Sequence, residues 1–407
     1  VKILGVLLGV LTAVGGFIEI GDLVFLGQAG SLFGYETLWA IVVGLVGIMV
    51  YSEMAGRVAA VSHRPVFDLV RERLGFGVGA VTLVSGQIVT LLTLAAEIGG
   101  VAIVLQLLFD LPAQLLIGMA GVAFLVIIWV LSFEWIERIF SLGGLGLLVF
   151  IVAALKMHPN WGSVGQGVLP GWDTSEFALY GYFAVGIIAA MFMPYEIYFY
   201  SSGGIEEGWN RSDARLNKAT VLFGFTLGGV LAAAILMSAG QFLKPAGIQP
   251  DHLGSVALSV QSQLGEAGLI IVLIGMLFAI GGATAETSLS GAYNVAQFFG
   301  WEWGKYKKPR GAPRFTLTWM IMLVLGTLII ITGLDAVQVT EFAVIFSVVA
   351  LPFSYLPVLL VANDRTYMDD QVNGPFANIL GWFYLVIIVI AALAAIPLMI
   401  ITNMGQG

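Results

Sequence analysis

Two short stretches decide the fold: Gly15-Gly16-Phe17-Ile18-Glu19-Ile20-Gly21-Asp22 and Ala189-Ala190-Met191-Phe192-Met193-Pro194-Tyr195-Glu196. Each falls near the middle of an apolar run long enough to cross a bilayer, and each interrupts the helix such a run must form. Glycine loosens the first; proline removes an amide donor and kinks the second. Both carry carboxylates at a depth where a charge is costly and functional by default. Irregular backbone survives there only when it is buried in protein or lines a cavity. Glycine and proline also occur in ordinary membrane helices, so one kink alone would say little. Two of them, each with acids, are a different signal.

Around these stretches the chain is apolar from end to end. Of its 407 residues 59% are hydrophobic and only 10% charged, with a mean hydropathy of +0.98, whereas a soluble domain carries about 25% charged residues. The runs predict eleven spans, at 4–30, 36–60, 77–108, 113–132, 138–156, 176–200, 217–243, 263–298, 315–333, 338–362 and 378–402. Spans 3 and 8 are over-long, which predicts tilt or extension beyond the bilayer. No polar connection is long enough for a soluble domain, and the apolar N-terminal stretch runs into a full span without a signal-peptide cleavage pattern. There is no cysteine, which removes disulfides, thiolate metal sites and cysteine nucleophiles. The net charge of −8 gives no hint of nucleic-acid binding.

Basic residues orient the chain. With the N-terminus in the cytoplasm, 15 of the 17 Lys and Arg residues fall inside, and only Lys156 and Lys244 outside. One span more or fewer would scramble that separation. Spans 1 and 6 then hold equivalent places in two five-helix halves, 1–156 and 176–362, with 378–402 as an extra helix. Five is odd, so the second half is inverted. Broken helices at matching positions of inverted repeats point to a transporter's substrate site. No catalytic constellation appears beyond isolated intramembrane acids, so an enzyme is not expected.

The chain resembles the NRAMP family of divalent metal transporters, an all-α integral membrane family of the LeuT-type fold. The likeness rests on Gln28-Ala29-Gly30, Phe33-Gly34-Tyr35, Leu38-Trp39, Arg71-Glu72-Arg73-Leu74-Gly75, Met193-Pro194, Leu351-Pro352-Phe353, Asn363-Asp364-Arg365 and Asn378-Ile379-Leu380-Gly381-Trp382, in order along the chain. It departs from the family at the site. The family's Asp-Pro-Gly-Asn becomes Glu19-Ile20-Gly21-Asp22, and its Met-Pro-His becomes Met193-Pro194-Tyr195, followed by Glu196. The family's helix 3 acid pair appears as Leu94 and Glu97, and its helix 10 glutamine aligns with an apolar residue near Val344.

The residues and the resemblance together give a set of expectations. Glu19, Asp22, the freed carbonyl of Ala190 and the thioether of Met193 would hold a divalent cation as substrate, with Gly21 and Pro194 as the hinges of the broken helices. Met193 favours softer metals such as manganese or iron; the added acid Asp22 favours magnesium. Met193 also suits plain core packing. Glu97, Tyr195, Glu196 and Glu286 would form a secondary site or proton route, Glu97 by resemblance. Glu97 would alternatively pair with an arginine, and Glu286 be satisfied by neighbouring hydroxyls. Two of the family's three proton-handling groups are replaced, so proton coupling is expected to be weakened, rerouted or absent. Glu53 and Glu341 read as solvated or gating residues, and His63, His158 and His252 as loop residues that form no metal pair. The competing reading is an organic-solute or amino-acid symporter of the same fold. No cofactor beyond the transported ion is expected, the resemblance implies that a monomer suffices, and the compact chain suits a bacterial inner membrane.

Overall fold

The computed structural model describes residues 17–171, 176–250 and 253–405. Gly15 and Gly16, the first part of expected span 1, and His252 lie outside the described residues. With no water in a bilayer core to satisfy backbone polar groups, apolar runs of this length must close their hydrogen bonds within helices. The described residues accordingly form α1 (Ile20–Phe33), α2 (Leu38–Ser62), α3 (Val66–Phe109), α4 (Ala113–Val130), α5 (Phe133–Lys156, with a 3₁₀ turn at Leu145–Leu148), α6 (Phe177–Ala190) and α7 (Pro194–Glu206). These are followed by α8 (Ala214–Ala246), α9 (Leu253–Phe299), α10 (Pro313–Ile331), α11 (Ala336–Ala362) and α12 (Pro375–Ile401). Among the described residues ten segments are long and apolar enough to cross a membrane, α6 and α7 counting as one. The 14-residue α1 is the later part of expected span 1.

Local chemistry sets several of the ends. Pro194, Pro313 and Pro375 open α7, α10 and α12 at a position where a missing amide hydrogen costs nothing. Asp335 caps α11 by accepting from the amide of Gln338 at 3.0 Å.

The great length of α3 (44 residues) and α9 (47 residues) has a definite cause. Gly75 (φ 83°) divides the first and Gly265 (φ 65°) the second, both in backbone conformations that side chains avoid. A Cβ at either would meet nothing within 4 Å, so backbone conformation, not crowding, calls for glycine there. Each of the two long helices is thus a membrane helix preceded by a shorter arm, residues 66–74 or 253–264, set off from it at the glycine.

The most buried segments of the bundle are α1, α3, the α6–α7 pair and α11. α3 packs against both α9 and α11, and α1 against α8. Every residue of α1 except Gln28 and Leu32 is buried, as befits a helix apolar on all sides. The outer helices expose large apolar residues such as Val122, Leu328, Ile390 and Leu393, the surface a lipid solvent requires.

Glycine brings α1 close to α8. A Cβ on Gly30 would lie 2.5 Å from the carbonyl oxygen of Leu236 and 2.9 Å from the Cβ of Ala239, both part of a helix that cannot yield cheaply. Gly30→Val should therefore lower stability by about 1–3 kcal/mol, the usual cost of overpacking, whereas Gly77→Ala, with open space around it, should be near neutral. Thermal unfolding of the two purified variants checks this; equal midpoints would contradict the close approach.

Candidate functional site

Helix continuity fails at two places facing each other in the core. The first break falls at Ile18 and Glu19, immediately before α1. Gly21, expected to be the hinge, lies inside the first turn of α1 instead. Its importance is spatial: a Cβ there would sit 3.1 Å from Val344 Cγ2, 3.3 Å from Glu19 Oε1 and 3.8 Å from Met193 Cε. Those three groups, from α11 and from both breaks, thus surround one small space beside Gly21.

The second break spans Met191 to Met193, between α6 and α7. Pro194 explains it. The amide that would donate to the carbonyl of Ala190 in a continuous helix belongs to residue 194, and proline has none. The chain tightens at Phe192, whose amide donates to Ala189 at 3.0 Å, and Met193 then turns extended (ψ 128°) as the N-cap of α7. The Phe192 carbonyl is held by the hydroxyl of Tyr355 on α11 at 3.0 Å. Ala190 and Met193 are both almost fully buried.

Glu19 and Asp22 are each only 1% exposed. Asp22 folds back to accept from the amide of Glu19 at 3.1 Å, satisfying one of the donors a helix start leaves free. Tyr195 donates its hydroxyl hydrogen to Glu19 Oε2, and Ser290 of α9 holds the Tyr195 carbonyl at 3.1 Å. Among the described residues, Glu19 Oε1 and Asp22 Oδ1 are buried without any hydrogen-bond partner. Two buried carboxylates with unpartnered oxygens, the Met193 side chain close to Glu19 across Gly21, and a proline-freed carbonyl at the second break offer an oxygen-rich donor set with one sulfur. A divalent cation fits that donor set. Among the described residues no group of three or more His, Cys, Asp or Glu converges as a metal cage, so carbonyls or water would have to complete the coordination of any ion here.

The remaining acids divide into two settings. Glu97, on α3, is fully buried and accepts from the Thr287 hydroxyl of α9 at 3.0 Å, with Oε2 unpartnered; no arginine pairs with it among the described residues. Glu196 and Glu286 line a cavity of about 620 Å³ that also touches Phe17, beside the first break, and runs out to Glu207, Lys305 and Tyr306. Six glutamates line it against Arg138 and Lys305, and Arg138 pairs with Glu134 at 2.5 Å. On the other side a cavity of about 440 Å³ is lined by Gln28, Asp335 and Glu341. Gln28 Nε2 donates to Glu341 Oε1 at 2.9 Å, joining α1 to α11. Glu341 is buried and Glu53 is paired with Arg57 at 3.0 Å, so of the two readings, solvated or gating, neither residue fits the freely solvated one. His63 and His158 sit in turns beyond helix ends, away from the acids.

Sequence reading missed the bond from Tyr195 to Glu19. The position was read as a lost histidine, and its hydroxyl reaches an acid 176 residues away. Val344 was legible only through its alignment with the family's glutamine.

Tyr195→Phe should destabilise the protein by about 1–3 kcal/mol in metal-free buffer, because it strands a buried carboxylate oxygen. In the Glu19→Gln background the same change should cost much less. Unfolding midpoints of the four proteins test this; fully additive losses would mean the two groups are not coupled.

Residues 9–397 match the Nramp family, described as natural resistance-associated macrophage protein-like. The chain is 24% identical to the divalent metal cation transporter MntH of Deinococcus radiodurans, covering 89% of this chain and 82% of that one. It is 26% identical to the protein of the same name from Staphylococcus haemolyticus, covering 93% and 88%. Its structure is similar to that of a manganese transporter from Eremococcus coleocola, with a TM-score of 0.77 and 22% identity over 96% of this chain and 85% of that one. The fold is accordingly of the LeuT type.

Proposed function

The chain belongs to the Nramp family, and from that premise we propose that it is a secondary transporter of divalent metal cations, of the manganese or iron type, working by alternating access. One observation carries the reading: Glu19 and Asp22 place unpartnered, buried carboxylate oxygens at a helix break that faces Met193. Buried anions without counter-charge are costly, and a divalent cation is the partner that removes that cost. In this role Glu19, Asp22, the Ala190 carbonyl and the Met193 thioether bind the ion. The relatives' names, a divalent metal cation transporter and a manganese transporter, support the substrate class. Magnesium is the second reading, favoured by the extra acid Asp22. An organic solute fits less well, because two buried carboxylates repel a substrate carboxylate.

The chain is organised as two inverted halves, 1–156 and 176–362, with the last helix added. Arms divided by Gly75 and Gly265 precede expected spans 3 and 8, equivalent members of the two halves, and support this division. Ions enter past the Gln28–Glu341 contact and leave through the glutamate-lined cavity, with Glu196 and Glu286 as stations along it. The protein works as a monomer in a bacterial inner membrane, N-terminus in the cytoplasm. Proton coupling is weak or absent: Tyr195 stands at the family's histidine, and Glu97 faces a threonine with no second acid at Leu94.

Calorimetry on the purified protein tests the substrate. Manganese should bind, Glu19→Ala should abolish binding, and Met193→Ala should weaken manganese about tenfold or more while leaving magnesium unchanged, because only the softer ion values sulfur. Binding of an amino acid, with no metal binding that Glu19→Ala removes, would end the metal reading. Liposomes loaded with a pH dye test the coupling. Manganese influx should cause little acidification; strong metal-driven acidification abolished by Glu97→Gln alone would contradict weak coupling.

A further inference from the structure

The face that carries most of the basic residues holds a group of side chains the ion site does not use. Where α3 bends at Gly75 and α9 runs into the connection to α10, four aromatic rings form a continuous ladder. Phe76 meets Phe298 at 5.4 Å between centroids, Phe298 meets Phe299 at 5.1 Å, and Phe299 stacks on Trp301 at 5.1 Å with 19° between planes. Two guanidiniums lie against the ladder, one over its second ring and one over its last. Arg71 lies 5.9 Å from the Phe298 ring and donates to the Phe298 carbonyl at 2.5 Å, and Arg314 lies 5.2 Å from the Trp301 ring.

The ladder is built and also open. Phe76 is 69% exposed and Phe299 50%, and Arg310 and Arg314 are exposed and in no ion pair among the described residues. The acids beside them are already engaged: Glu72 with Arg64 at 2.7 Å, and Glu302 with Lys307. The patch is therefore positive, with apolar rings standing beside fixed cations. A tryptophan such as Trp301 suits the headgroup level of a membrane, where one side is apolar and the other wet, the phenylalanines beside it offer an apolar surface, and basic residues there attract anionic lipid.

We propose that this ladder seats one anionic phospholipid from the leaflet on the basic face. Its phosphate lies between Arg310 and Arg314, and its acyl chains lie over Phe76, Phe299 and the exposed Leu317. Arginine suits the phosphate because its planar fork offers paired donors, and stacking on Trp301 holds the Arg314 fork in place. Phe76 directly follows Gly75, so the lipid also braces the bend between the arm and the membrane part of α3.

Native mass spectrometry of the full chain in mild detergent, titrated with phosphatidylglycerol or phosphatidylcholine, tests this. Phosphatidylglycerol should be retained at least tenfold more tightly than phosphatidylcholine. Arg310→Gln/Arg314→Gln should weaken phosphatidylglycerol about 30-fold, the loss of two surface charges, and Phe76→Ser should weaken both lipids. Unfolding midpoints matching the unaltered protein in lipid-free detergent would show the variants are folded. Equal retention of the two lipids, or unchanged retention in the double variant, would overturn the proposal. So would protection from thermal unfolding by inorganic phosphate alone that equals protection by phosphatidylglycerol, because the site would then be an anion pocket without a place for acyl chains.

Discussion

Pro194 cannot give the carbonyl of Ala190 the hydrogen it would receive in an unbroken helix, and much of the site depends on that missing bond. At bilayer depth a carbonyl cannot be left to water. The chain answers by ending α6 at Ala190, tightening at Phe192 and restarting at Pro194, and it draws Tyr355 across from α11 to hold the Phe192 carbonyl. The restart turns Met193 toward the space beside Gly21 and sends Tyr195 to Glu19. One proline thus ties α6, α7, α11 and the start of α1 into a single arrangement around the buried acids.

The acids are the second half of that arrangement. Glu19 and Asp22 are each partly satisfied, by Tyr195 and by the Glu19 amide, and each keeps one oxygen without a partner. Complete satisfaction would make a rigid polar core, and complete neglect would make folding too costly. The intermediate state leaves acceptor oxygens free near the place where both helix breaks meet. Gly21 keeps that place open, since any side chain there would press on Val344 and Glu19. The same balance appears at Glu97, which has one oxygen on Thr287 and the other unpartnered.

Features written as runs or as single decisive residues were legible in the sequence. The apolar runs gave the ten spans found among the described residues, Pro194 gave one break, and Glu19 and Met193 were recognisable as its companions and do come close beside Gly21. The first break falls inside the stretch from Gly15 to Asp22 read as interrupted; only its hinge was misassigned, because Gly21 looked like a hinge and proves to be a spacer. Gly75 and Gly265 were passed over, since a glycine within an apolar run does not reveal its φ until the chain is folded. Contacts between distant parts were out of reach: Tyr195 with Glu19, Gln28 with Glu341 across 313 residues, and the aromatic ladder from Phe76 to Trp301. Side-chain identity fixes what each group can do, and only packing decides which partner it finds.

The central claim is that one divalent ion sits where the two breaks face each other. Crystals grown with manganese, with diffraction measured near the manganese absorption edge, test it most directly. The account predicts a single strong anomalous peak within bonding distance of Glu19, Asp22 and the Met193 sulfur. A peak confined to the cavity glutamates, or none there under saturating manganese, would contradict it.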